Sequence, residues 1–205
     1  MEPMVLHEYA PSGNCYKIRL TAALLGLPLE RRHYDIMHGE TRTPAFLQNI
    51  NANGRIPVLQ VGSRLLPESN AACWYLATGT PLIPDDRFEQ ADMLRWMFFE
   101  QYNHEPNIAT LRFWKAFIGE ERLTASQTAQ IPAKRLAGEA ALAVMNDHLA
   151  QRDFFVADRV TLADISLYAY THVADEGGFD LSRWPAVQRW IDAVSAAPGH
   201  VSLDA

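Results

Sequence analysis

Asn53-Gly54-Arg55-Ile56-Pro57-Val58-Leu59 sets a proline inside a strand-like run. Proline lacks the N–H that a sheet ladder needs, so it is confined to strand starts, edges and bulges. A cis Ile56–Pro57 bond at the head of a strand over 56–61 removes the conflict. It also leaves the N–H and C=O of Ile56 available to an extended peptide ligand. Taken alone, the stretch has a second, lesser reading as an edge strand with no ligand.

Working outward, Gly62-Ser63 is a two-residue hairpin turn and 64–66 the returning strand. Ser69 then caps a helix to about Thr78, which Gly79 ends. Upstream, Asn51 to Gly54 breaks the chain. Thr43 followed by Pro44 is an N-cap with proline at the first helical position, opening a short helix to Ile50. Before that come a strand over 29–36 and a helix over 15–25, with Ile18, Ala22 and Leu25 apolar and Gly26 and Pro28 as the stop. Ala10 to Asn14 is a turn after a first strand over 4–9. The order is β-α-β-α-β-β-α. Strands joined through helices favour parallel pairing, and the last two form an antiparallel hairpin.

Past Thr80-Pro81-Leu82-Ile83-Pro84-Asp85-Asp86 the character changes, and no convincing strand follows. Helical patterns cover roughly 87–118, 127–150, 162–176 and 184–197. Thr161 and Asp164 are spaced as a reciprocal cap before an apolar run. The expected division is an α/β domain over 1–79, a linker over 80–86 and an all-helical domain over 87–205.

The 205 residues are 48% hydrophobic and 20% charged, which suits a globular chain. No apolar run reaches the ~18 residues of a membrane span. The acidic start, Met1-Glu2-Pro3-Met4, is unlike a signal peptide, so a cytoplasmic protein is expected. Two cysteines, Cys15 and Cys73, make no disulfide framework and match no zinc spacing. His104 and Glu105 lack a second ligand pair, so no metal is expected. A net charge of −6 with scattered basic residues argues against nucleic acid as a partner.

Three stretches carry the chemistry. Ser12-Gly13-Asn14-Cys15-Tyr16-Lys17 opens the first helix, Ile56-Pro57 opens a strand, and Glu68-Ser69 stands eleven residues after Pro57. With Phe155 to Ile165, these stretches resemble the glutathione S-transferase superfamily over essentially the whole chain. Ser12-x-Asn14 is similar to the Ser/Thr-x-Asn pattern of bacterial members. The resemblance implies a thioredoxin-like N-terminal domain followed by a C-terminal helical bundle. It implies a detoxification enzyme with glutathione as co-substrate and a hydrophobic or disulfide small molecule as the other, in a homodimer. The alternatives are a glutathione-dependent disulfide reductase and a non-catalytic glutathione-binding member.

The residue types fit the implied ligand. A free thiol has a pKa near ~8.5, and a helix start with a hydroxyl or amide donor favours the thiolate. Ser12 is the first candidate donor and Asn14 the second. Ser12 as a plain helix cap is the bland reading. Cys15 reads as a buried filler, with a redox nucleophile as the alternative. The resemblance pairs Ile56, beside Pro57, with the cysteinyl backbone of glutathione. Glu68 suits the γ-glutamyl ammonium and Ser69 its carboxylate. Gln48, Arg55 and Arg42 are candidates for the glycine carboxylate. Tyr102, His104, Arg112 and Phe113 are candidate walls of a second-substrate pocket, although an aromatic stripe at helical spacing is more often core. Ala157 stands where many members have glycine, in a turn that strains a Cβ.

Overall fold

A computed structural model describes residues 2–205. The chain forms two compact units, one of residues up to Ile83 together with Ala197–Ala205, the other Pro84–Ala196. The closing nine residues therefore pack with the α/β part.

In the first unit the elements are β1 (Met4–Glu8), α1 (Gly13–Leu24), β2 (Glu30–His33), α2 (Pro44–Asn49), β3 (Val58–Val61), β4 (Arg64–Pro67) and α3 (Ser69–Ala77). The sheet order is β2-β1-β3-β4. β1 pairs with β2 in parallel, and β1–β3 and β3–β4 are antiparallel, as the connections require. All of β1 is buried, and the two edges carry Glu30-Arg31-Arg32-His33 and Arg64 with Pro67. Charge and proline at an edge discourage pairing with another chain. Leu6, Ile18, Leu20, Phe46, Val58, Leu59 and Cys73 form the core. β2 is shorter than the 29–36 expected; the Tyr34 N–H still donates to the Glu8 carbonyl (2.7 Å), while its side chain meets His7 and packs edge-on against Phe46.

The second unit holds α4 (Arg87–Phe99), α5 (Glu105–Arg112), α6 (Ala125–Leu149), α7 (Leu162–Thr171) and α8 (Pro185–Ser195). The helix expected over 87–118 is interrupted. Wider π-turns occupy Glu100–His104 and Phe113–Ile118. Pro106 falls in the first turn of α5, where its missing N–H costs nothing. α6 begins at Ala125 with Thr124 and Gln127 as a reciprocal cap. α7 stops at Thr171, five residues short of the expected end, and a single 3-10 turn covers Ala174–Gly177.

The Thr161–Asp164 cap forms as the spacing predicts. The buried Asp164 accepts from the Thr161 N–H (2.9 Å) and hydroxyl (2.8 Å), the Phe155 N–H (3.1 Å) and Trp190 Nε1 (2.9 Å). Phe155 in turn packs edge-on against Trp190 and Trp96, at 5.2 and 4.5 Å between ring centroids. Each such ring contributes about 1.5–3 kcal/mol on burial. Ala157 takes φ 60°, the left-handed conformation expected to strain it, and Asp158 follows at φ 48°.

Candidate functional site

Strand register assembles the site. His7 of β1 lies opposite Val58 of β3, and Val58 opposite Pro67 of β4. Just beyond that row stand three pieces of chain. They are the turn from β1 into α1, the cis Ile56–Pro57 bond before β3, and Glu68-Ser69 after β4. Stretches separated by more than fifty residues thus meet at one end of one sheet.

Ser12 is the N-cap of α1, in extended backbone at φ −74°, ψ 123°. Its N–H donates to the Tyr9 carbonyl (2.9 Å), which closes the turn, and its carbonyl accepts from the Tyr16 N–H (2.9 Å). Its Oγ accepts from the Cys15 N–H at 3.4 Å. A hydroxyl has two lone pairs and one proton. Capping uses a lone pair and leaves the hydroxyl its proton, which can face the Cys15 thiol or a bound one. Cap and thiol donor are therefore compatible roles for Ser12.

Asn14, in the first turn of α1, accepts from the Ser69 hydroxyl at 3.1 Å. This bond ties the start of α1 to the start of α3. Ser69 was expected as the cap of α3 but is its first helical residue. The cap position is Glu68, which makes no side-chain capping bond. Glu68 takes φ 73°, ψ 114°, a conformation L-residues rarely adopt and one that collects at functional sites. Glu68 is exposed at the start of α3, where the partial charge is positive.

Cys15 is fully buried. Burial pushes its thiol up to about 12, against the Tyr9 N–H and the Ser12 hydroxyl, which pull the other way. A thiol in that state is a poor nucleophile at neutral pH, which favours the filler reading over the redox one.

Pro57 is buried and Ile56 partly so. Arg55 and Gln48 are exposed, Gln48 on α2. Arg42 donates to the Asn53 carbonyl (3.1 Å) and lies so close beneath Gly54 that a Cβ there would stand 2.6 Å from its Nη1. Gly54, at φ 63°, suits both the turn and the close approach.

The four proposed pocket walls do not share one surface. Tyr102 is 79% exposed. His104 is fully buried, its Nε2 at 2.8 Å from the Thr171 hydroxyl. Arg112 is buried, with Nε donating to Glu176 at 2.8 Å. Phe113, half-buried, stacks on Phe117. His104 and Arg112 are thus interior residues of the helical unit, held by Thr171 and Glu176.

Sequence reading missed the buried charges behind the Ser12 turn. Glu8, fully buried at the end of β1, pairs with Arg19 (3.3 Å) and Arg31. The signal available was weak: Lys17-Ile18-Arg19 reads as two solvated charges, yet every residue of Cys15–Ala22 is buried.

A thioredoxin-like unit bearing a helix-start hydroxyl, a cis-proline and an acid-serine pair, joined to an all-helical unit, defines the architecture of a glutathione-transferase-type protein. Comparison agrees. The models for "Glutathione S-transferase, N-terminal domain" and "Glutathione S-transferase, C-terminal domain" match residues 11–78 and 128–193. Glutathione S-transferase 2 of Anopheles gambiae is 30% identical over 198 residues, covering 93% of this chain and 90% of that protein. The structure of a possible glutathione S-transferase from Rhodopseudomonas palustris is 46% identical, with TM-score 0.94 over 98% of each chain. The glutathione transferase URE2P6 from Phanerochaete chrysosporium, in complex with oxidized glutathione, shares the fold at 23% identity, with TM-score 0.83 over 97% of this chain and 93% of that one. The chain belongs to the glutathione S-transferase family.

Proposed function

We propose that this glutathione transferase binds glutathione along the row that ends at the Ser12 turn, and that Ser12 donates to its sulfur. The observation that carries the reading is the register His7–Val58–Pro67, which puts the hydroxyl, the Ile56 backbone and the Glu68-Ser69 pair at one end of the sheet. The peptide runs antiparallel to the chain at Ile56. Glu68 meets the γ-glutamyl ammonium, the α3 N–H groups meet its carboxylate together with the Ser69 hydroxyl, which turns its one proton from Asn14 on binding, and Gln48 or Arg55 reaches the glycine end. The sulfur then sits at the start of α1, where the helix field and the Ser12 proton stabilise the thiolate. Asn14, fixed by Ser69, is the second donor. The pattern Ser12-x-Asn14 supports a bacterial Ser/Thr-x-Asn subtype.

The thiolate attacks either an electrophilic carbon, giving a thioether and a leaving group, or a disulfide sulfur, giving a mixed disulfide and a released thiolate. Oxidized glutathione in the URE2P6 structure favours keeping the second reading, a glutathione-dependent disulfide reductase. A cytoplasmic homodimer with a detoxifying role completes the proposal. Calorimetric titration with glutathione, followed by assays with an aromatic halide, an epoxide and a small disulfide, tests it. Glutathione binding together with turnover of one of the three is expected. No binding at millimolar glutathione would overturn it.

A further inference from the structure

Arg19 is an interior residue of α1, 6% exposed. Its planar fork donates to three carbonyls and pairs with one carboxylate. Nη2 donates to the carbonyls of Ala10 (2.7 Å) and Leu203 (2.8 Å), Nη1 donates to the Ala205 carbonyl (2.9 Å), and Nε lies 3.3 Å from Glu8 Oε2. Ala10 belongs to the turn that carries Ser12. Leu203 and Ala205 belong to the segment 197–205. Two further groups hold that segment: the Tyr16 hydroxyl donates to the Val201 carbonyl (2.7 Å), and Arg31 Nη1 donates to the Ala205 carbonyl (2.6 Å). Gly199, at φ 86°, lets the segment close on α1, where a Cβ would stand 3.1 Å from the Ala23 carbonyl.

We propose that Arg19 is a positioning residue for the Ser12 turn, fastening it to the segment 197–205 so that the seating of the segment sets the direction of the Ser12 hydroxyl. The consequence for a bound thiol rests on the glutathione reading above; the positioning itself does not. Glu8 neutralises the guanidinium, without which its burial would be prohibitive. The fork then has the geometry to hold carbonyls on both sides of itself at once. Lysine, a point charge on a flexible stem, cannot reproduce that arrangement. Arg19 does not touch the sulfur and acts only through the turn. Because Ala10 is two residues from Ser12, a shift of its carbonyl is transmitted through the Ser12–Tyr9 bond to the cap.

The test uses the full chain, Arg19→Lys and a deletion of residues 203–205. The deletion keeps the Arg19–Glu8 and Arg19–Ala10 contacts should Arg19→Lys fail to fold. Amide exchange is followed by NMR at Ser12 and Cys15, with Leu59 of β3 as the internal control. Both variants should exchange about tenfold faster or more at Ser12 and Cys15 and within about twofold at Leu59, a local opening. With glutathione bound, the pH midpoint of thiolate absorbance should rise by about half a unit or more, each unit being tenfold in the ionisation constant. Unchanged exchange at Ser12 and Cys15 overturns the proposal. So does equal acceleration at Leu59, the mark of a merely structural residue. Accelerated local exchange with no thiolate signal in the native protein supports the positioning and refutes the glutathione reading. A native thiolate signal that neither variant moves refutes the positioning.

Discussion

The Ser69 hydroxyl donates to the Asn14 side-chain oxygen at 3.1 Å, so the residue expected at the glutamyl end of glutathione and the second thiol donor share one hydrogen bond. The two ends of the proposed site are mechanically joined through the starts of α3 and α1. Ser69→Ala removes a carboxylate partner and releases Asn14. Charge-assisted bonds contribute about 1.5–3 kcal/mol, so glutathione affinity should fall about ten- to a hundredfold. Calorimetry would measure it, and a change of less than about twofold would show that Ser69 is not at the ligand.

Asp164 sets a pH signature for the helical unit. Burial pushes its carboxyl up to about 6 from an ordinary 3.8, opposed by the Trp190, Phe155 and Thr161 donors. The native state therefore holds this proton to higher pH than the unfolded chain does. Its contribution to stability is full below about 3.8 and is lost as pH rises through about 6. At neutrality the ionised group is kept by its four donors. Asp164→Asn turns an NH2 against the Thr161 N–H or the Phe155 N–H, which should cost about 1–3 kcal/mol and flatten the dependence between those pH values. Urea titrations at several pH values would check both.

The buried histidines act in the opposite sense. His7, held by Tyr34 and Gln60, and His148, bonded to the Phe155 carbonyl, are both lowered from 6.5, chiefly by burial. The unfolded chain protonates first, so their contribution to stability is present above 6.5 and falls away as pH drops below it. His148→Gln should weaken that acid loss relative to the native protein, as read by denaturant midpoints above and below pH 6.5.

Cys15, pushed up to about 12, and the equally buried Cys73 should resist alkylation in the native state and react once denatured. Cys15→Ala should keep glutathione turnover within about threefold, since the nucleophile belongs to the ligand. Loss of turnover would assign the thiol a chemical role.

Local signals made much of the fold readable. Thr43 with Pro44, the Gly62-Ser63 turn, the placement of Pro57 and the Thr161–Asp164 spacing each specify backbone within a few residues, and each is realised. What was illegible depended on tertiary surroundings. His104 and Arg112, in and beside the π-turns, are buried by partners distant in sequence, Thr171 and Glu176, which the aromatic stretch that offered them as a wall does not announce. Ser69 looks like a cap, but Asn14, distant in sequence, takes its hydroxyl, and the cap falls to Glu68 at positive φ. The pairing of Glu8 with Arg19 spans a strand and a helix, so no local pattern announces it.

Ser12 carries the central claim, and the thiolate absorbance of bound glutathione against pH, in the native protein and in Ser12→Ala, tests it most directly. A hydroxyl donating to sulfur is a charge-assisted bond of about 1.5–3 kcal/mol, or about one to two pKa units. The bound thiol should ionise well below its free value of ~8.5, with a midpoint about one to two units higher in Ser12→Ala. Glutathione that binds with the same midpoint in both proteins would contradict it.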